Sequence, residues 1–279
     1  TGVQNVFVGN LTGDATDDGS YNTALGYASL SANCGDLNTT IGYAAGITLT
    51  GASNTIVGSN AGFGAITGSS NTAVGSSALF TANGDANNNT CVGNAAGYDI
   101  TTGDNNLVLG KDAGRSGNPG GTLVTTSNNI CLGDSSISGF HCQVSLTVAS
   151  DERDKTDFKD LDLGLDFVND LKPYTYKWDK RVNYGDSSAS NYDFSTQTPD
   201  GTHKEDWLDI GFKAQEVEVL EKAKGYDKDK KTNLLTTSVD EGKQYGMRYE
   251  KFVPILVKAL QELSAKNDAL EARIKTLEG

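Results

Sequence analysis

One five-residue phrase, Asn-x-x-aliphatic-Gly, recurs eight times in this 279-residue chain, starting at Asn5, Asn22, Asn38, Asn54, Asn71, Asn89, Asn106 and Asn129. The intervals are 17, 16, 16, 17, 18, 17 and 23 residues, too regular to be chance. The fourth position is always Val, Leu or Ile, while the third ranges over Phe, Ala, Thr, Ile, Cys and Val. With side chains alternating along a strand, this pattern predicts that the fourth position faces a core. The Gly suits a turn with positive φ or a close backbone approach. The Asn can bond its own backbone or stack in a ladder with its equivalents. One short strand cannot bury its apolar face alone, so the repeats must stack on one another, on neighbouring chains, or both. The expected fold of residues 1–149 is therefore a mainly β, elongated, parallel shaft: a trimeric β-solenoid (β-roll) or a triple β-helix.

Composition changes sharply near residue 149, which sets a second domain at 150–279. Of the 33 Gly, 25 precede Ser150, where the only Lys and Arg are Lys111 and Arg115, against nine Asp and no Glu. The remainder carries 21 bases and 27 acids, so net charges of −7 and −6 make up the total of −13. Neither part offers the basic field needed to bind nucleic acid or anionic lipid. No apolar run approaches the roughly 20 residues of a membrane span, and no signal peptide is evident, so the chain reads as soluble with no membrane insertion. A start at Thr1 and a single Met, Met247, suggest a piece of something longer. Cys34, Cys91, Cys131 and Cys142 lack metal spacing and read as free thiols, and no cofactor or metal is expected. Asp-rich turns such as Gly13–Gly19 could hold Ca²⁺, although solvated turns explain them equally.

From Ser150 onward the reading changes. Ala149-Ser150-Asp151-Glu152-Arg153-Asp154-Lys155 precedes an amphipathic segment, Leu161–Leu171, and then an alternating strand, Tyr174–Trp178. A polar stretch, 182–206, reads as an exposed loop. Ile210–Val217 follows, then a charged loop, then a long helix starting near Tyr249. In that helix, about 249–278, Val253, Leu256, Leu260, Leu263, Asn267, Leu270, Ile274 and Leu277 are spaced alternately by 3 and 4, the seam of a coiled coil. Packing inside one globular domain is the competing explanation. Asn267, on the seam, would fix register and oligomer state. Trp178 and Trp207 read as packing residues, and His203 has no second histidine near enough to suggest a metal site.

The ordered set Ser-Asp-x-Arg-x-Lys, Leu-Lys-Pro-x-x-Tyr-x-Trp, Gly-Phe-x-Ala-Gln-Glu-Val and Tyr-x-x-Phe…Ala-Leu-Gln-Glu-Leu resembles the C-terminal intramolecular chaperone of endosialidase tailspikes and phage fibres, the S74 peptidase domain. The Asn/Gly phrasing upstream is similar in style to phage fibre shafts and to the β-roll heads of trimeric adhesins. What the resemblance implies is a domain that assembles a homotrimer, helps the shaft fold, and then releases itself. It places a catalytic dyad on Ser150 and Lys155 and the cut at the Ala149–Ser150 bond. A serine hydroxyl needs a base to take its proton, and lysine serves only when burial lowers its pKa from about 10.4. Burial on trimer folding would thus couple cutting to assembly. Ser150 could attack the Ala149 carbonyl to give an ester that water hydrolyses, or activate water directly. The position before the lysine is Asp154 where the family commonly has Leu, and a carboxylate there favours the ammonium form and slows the cut.

The function expected is thus a fibre or tailspike segment of a virion, assembled in the host cytoplasm, with the shaft meeting a host-surface receptor or glycan. A glycan-degrading spike would need a carboxylate pair, which a shaft without Glu and with Asp in turns does not readily supply. A non-cleaving trimerisation clamp is the other alternative. A membrane-tethered transcription factor precursor fits poorly with the repeat shaft and the absence of a basic segment.

Overall fold

A computed structural model describes residues 2–64, 66–118, 120–186 and 192–279. They divide into two compact units. The first runs to Phe140 and takes in residues 192–194; the second is His141–Asp186 with Ser195–Gly279.

The first unit is a parallel β-solenoid. Each phrase forms one three-residue strand: β1 (Val6–Val8), β2 (Thr23–Leu25), β3 (Thr39–Ile41), β4 (Thr55–Val57), β5 (Thr72–Val74), β6 (Thr90–Val92), β7 (Leu107–Leu109) and β8 (Ile130–Leu132). The eight pair in chain order as one parallel sheet, with equivalent residues in register: Phe7 on Ala24, Ala24 on Thr40, and on to Val108 on Cys131. One chain thus closes each coil on itself, and of the two expected shafts the solenoid is the one formed.

The expectation for the aliphatic fourth position is overturned. Ala24, Ile56, Ala73, Cys91 and Val108, all third positions, are fully buried, whereas Val8, Leu25, Ile41, Val92 and Leu132 in the fourth are exposed. The reason lies in the asparagine. Asn22, Asn38, Asn54, Asn71 and Asn89 are themselves almost completely buried, so period two carries positions one and three inward and two and four outward.

A buried amide survives only when its hydrogen bonds are met. Here each Asn Oδ1 accepts from the backbone N–H of the next Asn: Asn38 to Asn22 at 2.8 Å, Asn54 to Asn38 at 2.9 Å, Asn71 to Asn54 at 2.9 Å and Asn89 to Asn71 at 3.0 Å. Each Nδ2 donates across the coil, as from Asn38 to the Gly51 carbonyl at 2.9 Å and from Asn71 to the Ala86 carbonyl at 2.7 Å. The amides form one ladder along the shaft. The Gly closing each phrase is required twice over. At Gly58, φ is +139°, and a Cβ would lie 2.4 Å from the Gly75 carbonyl oxygen of the next coil.

The varying third position is matched across the core. Where it is Phe7, Thr40, Ile56, Cys91 or Val108, the residue six further on is Gly13, Gly46, Gly62, Gly97 or Gly114, lying directly against that side chain. Where it is only Ala24 or Ala73, the same place holds Leu30 or Leu79, both fully buried. Large meets small in the first seven coils, which keeps a thin core filled. Stacked rings continue the repetition outside: Phe63 on Phe80 at 5.1 Å, Phe80 on Tyr98 at 4.8 Å, and the Arg115 guanidinium over Tyr98 at 4.6 Å.

The second unit is α+β. Helix α1 (Leu165–Asp170) is shorter than the predicted segment. Strands β9 (Tyr174–Tyr176) and β10 (Asp209–Gly211) pair antiparallel, and α2 (Ala214–Ala223) follows. The predicted charged loop contains a hairpin, β11 (Thr236–Val239) with β12 (Gln244–Met247), before α3 (Phe252–Glu278). Its core joins Leu163, Phe167, Val217, Leu235, Phe252 and Ile255. Of the predicted polar loop, residues 187–191 lie outside the described residues. Trp178 and Trp207 are 45 % and 54 % exposed, so neither is a core residue. Trp178 instead stands edge-on to Tyr176 and donates to Asp209 Oδ2 at 3.2 Å.

Candidate active site

Residues 145–150 lead into the predicted dyad outside any strand or helix, and a short turn follows. Asp151 starts a one-turn 3-10 helix, Glu152–Asp154, with its side chain accepting from the Arg153 N–H, and its Oδ2 pairs with Arg153 Nη2 at 2.6 Å. That carboxylate is held below its usual range by these bonds to Arg153. The turn reverses the chain so that residue 155 comes back over residue 150. Lys155 Nζ donates to Ser150 Oγ at 2.6 Å and reaches the Ser150 carbonyl oxygen at 3.2 Å. Serine and lysine therefore meet within one short turn that contains Asp154.

Both residues are exposed in the single chain, as is everything from Ser136 to Asp160. Val144, Leu146 and Val148 alternate with polar residues up to the Ala149–Ser150 bond, a strand-like sequence pattern, and are 77 %, 82 % and 77 % exposed.

The third predicted feature is the seam on α3. One side of this helix docks on its own unit: Phe252, Ile255 and Ala259 are buried, and Glu262 Oε2 accepts from the Leu165 N–H at 2.8 Å. The predicted seam lies elsewhere on the helix. Leu256, Leu260, Leu263, Leu270, Ile274 and Leu277 are 43–85 % exposed, and Val253 and Asn267 are exposed with them. Packing within the domain therefore accounts for a different face of α3 from the one the heptads mark.

Two carboxylates to which the sequence assigned no role organise this unit. Glu221, buried, accepts from the backbone N–H groups of Leu234 (2.9 Å), Leu235 (2.6 Å) and Thr236 (3.0 Å) and ties α2 to the start of β11. Glu262 caps α1, whose preceding Gly164 offers no side chain. The contacts span 13 to 97 residues, so the quoted Ala-Leu-Gln-Glu-Leu motif marks Glu262 without its distant partner, and Glu221 stands in no quoted motif. His203 stands edge-on to Tyr184 with ring centroids at 4.8 Å. Cys34, Cys91 and Cys131 are buried, Cys142 is exposed, and none of the four forms a disulfide.

Residues 150–226 match the peptidase S74 family, described as chaperone of endosialidase. The match begins at Ser150 and takes in Lys155, β9, β10 and α2. This part of the chain is a chaperone-of-endosialidase domain. The seam helix follows the matched residues of the chaperone domain, and the solenoid precedes them. No curated protein and no solved structure matches the chain.

Proposed function

We propose that this chain is the distal part of a viral tail fibre or tailspike, in which the chaperone domain gathers three chains, guides the shaft into register, and then frees itself at Ala149–Ser150. The contact between Lys155 Nζ and Ser150 Oγ, formed where the family match begins, carries this reading. Single-turnover cutting would run in a fixed order. The exposed seam of α3 brings three chains together as a coiled coil. Assembly buries Val144, Leu146 and Val148 with the dyad beside them, and loss of water lowers the lysine's pKa until its neutral amine can take the Ser150 proton. Oγ then attacks the Ala149 carbonyl carbon, Lys155 returns the proton to the Ser150 nitrogen as the C–N bond breaks to leave an ester, and water hydrolyses the ester to the Ala149 carboxylate and the free Ser150 hydroxyl; activation of water by the same pair gives the same products.

Assembly first matters because bringing three separate shafts side by side in one register carries an association-entropy cost. Tethering the chain ends lowers that cost by raising effective concentration. The shaft would be the host-facing element of a virion, assembled in the host cytoplasm, and meet a receptor or glycan there. A second reading, a trimer clamp that never cuts, is favoured by one observation: the seam of α3 is independent of the dyad.

Intact mass of the wild type beside Ser150→Ala, each with its native mass, tests both. Fragments meeting at Ala149–Ser150 in the wild type only, together with a trimeric native mass, are expected. An uncut trimer leaves the clamp, and a monomer sinks both readings.

A further inference from the structure

The outward residues of the eight solenoid strands form two files. One holds Val6, Thr23, Thr39, Thr55, Thr72, Thr90, Leu107 and Ile130; the other holds Val8, Leu25, Ile41, Val57, Val74, Val92, Leu109 and Leu132. The second file is aliphatic at every rung, although its members do not fill the chain's own core. Outward positions of a solvated sheet carry polar side chains; here half of them are invariantly apolar. We infer that this aliphatic file is the face on which the shaft packs against further copies of itself.

Three observations select a second copy over other occupants. The two files contain no charged residue, in a chain of net charge −13, so this is where two identical anionic shafts can approach without repulsion. Anionic lipid would meet the same overall repulsion, and a sugar would find only threonine hydroxyls as polar partners on the face. The file is also long and regular: eight rungs at about 4.8 Å extend for about 34 Å. A partner must present apolar groups at that same pitch for the whole length. A parallel copy does so automatically, since its β1–β8 register is the same ladder. Lastly, Leu25 and Val92 are 47 % and 38 % exposed, so the coils of their own shaft leave both sites open to a neighbour.

The inference rests on the chaperone reading, which supplies parallel chains, and the experiment separates the two. In a Cys142→Ser background of the full chain, Leu25→Cys and Val92→Cys are compared with Asn83→Cys, an exposed shaft site outside the strands. Each is treated with a soluble maleimide, and native mass is recorded on the same samples. The expected result is a trimer in which Leu25→Cys and Val92→Cys react at least tenfold more slowly than Asn83→Cys, the difference vanishing in denaturant. A trimer in which all three react alike overturns the face and leaves the chaperone reading standing. A monomer in which all three react alike overturns both.

Discussion

At the scale of single residues, the shaft is held by pairings that a repeat makes visible only when read across the coil. Ala73 faces Leu79, whereas Ile56 faces Gly62. Ala73→Ile alone should overfill its coil and cost about 1–3 kcal/mol. Adding Leu79→Gly should return most of that, because the pair then reproduces the neighbouring coil, and Leu79 holds a left-handed φ of 52° that glycine adopts freely. Urea midpoints of the two singles and the double check this; additive losses would mean that the two sites do not share one space. The thiols give a second test. Burial pushes Cys91 up to about 12, and Cys34 and Cys131 are raised by the same cause. Since the thiolate is the reactive form, only Cys142 of the four should alkylate at mildly alkaline pH in the folded chain, and all four in denaturant, counted by intact mass.

At the scale of elements, two carboxylates set the second unit. Glu221→Ala strips the acceptor from three backbone N–H groups in a buried place and should cost about 3 kcal/mol or more, read as a lower melting temperature. Glu262 acts differently, being at the surface. Its bond from the Leu165 N–H, with Lys258 and Lys266 nearby, holds the carboxyl below its usual range. A group that binds its proton less readily when folded stabilises the fold above its ordinary pKa and loses that contribution as pH falls through the lowered one. Glu262→Gln should therefore melt below the wild type near neutrality and converge with it below about pH 4; a gap that persists in acid would assign the effect to packing. Much at this scale was legible beforehand. Strand positions and the ladder role of Asn rest on spacings of a few residues, whereas the pairing of Ser150 with Lys155 was suggested only by the family resemblance. What faces inward was not, because an asparagine is ordinarily a surface residue and an aliphatic one a core residue. In these strands the amide ladder reverses both. The hairpin β11–β12 escaped because its strands, Thr-Thr-Ser-Val and Gln-Tyr-Gly-Met, are mostly polar.

At the scale of the whole molecule, the proposal turns on whether chemistry waits for assembly. The dyad is in contact yet wet, and a lysine in water is a poor base. If three copies of the Val144–Val148 segment come together and dry the site, placing a charge there should stop the cut without undoing the coiled coil. Leu146→Asp is then expected to give a trimer that remains uncut, or cuts at least tenfold more slowly, by native and intact mass. Leu263→Asp, on the seam, should lose both the trimer and the cut. The two variants separate causes that the wild type mixes. Cutting by a monomeric Leu263→Asp chain would show that the Ser150–Lys155 turn needs no partner. Cutting at the wild-type rate by trimeric Leu146→Asp would move the drying element elsewhere. If both stay uncut, with only Leu146→Asp trimeric, assembly is necessary but not sufficient, and the apolar approach to the scissile bond is what converts a formed trimer into a released shaft.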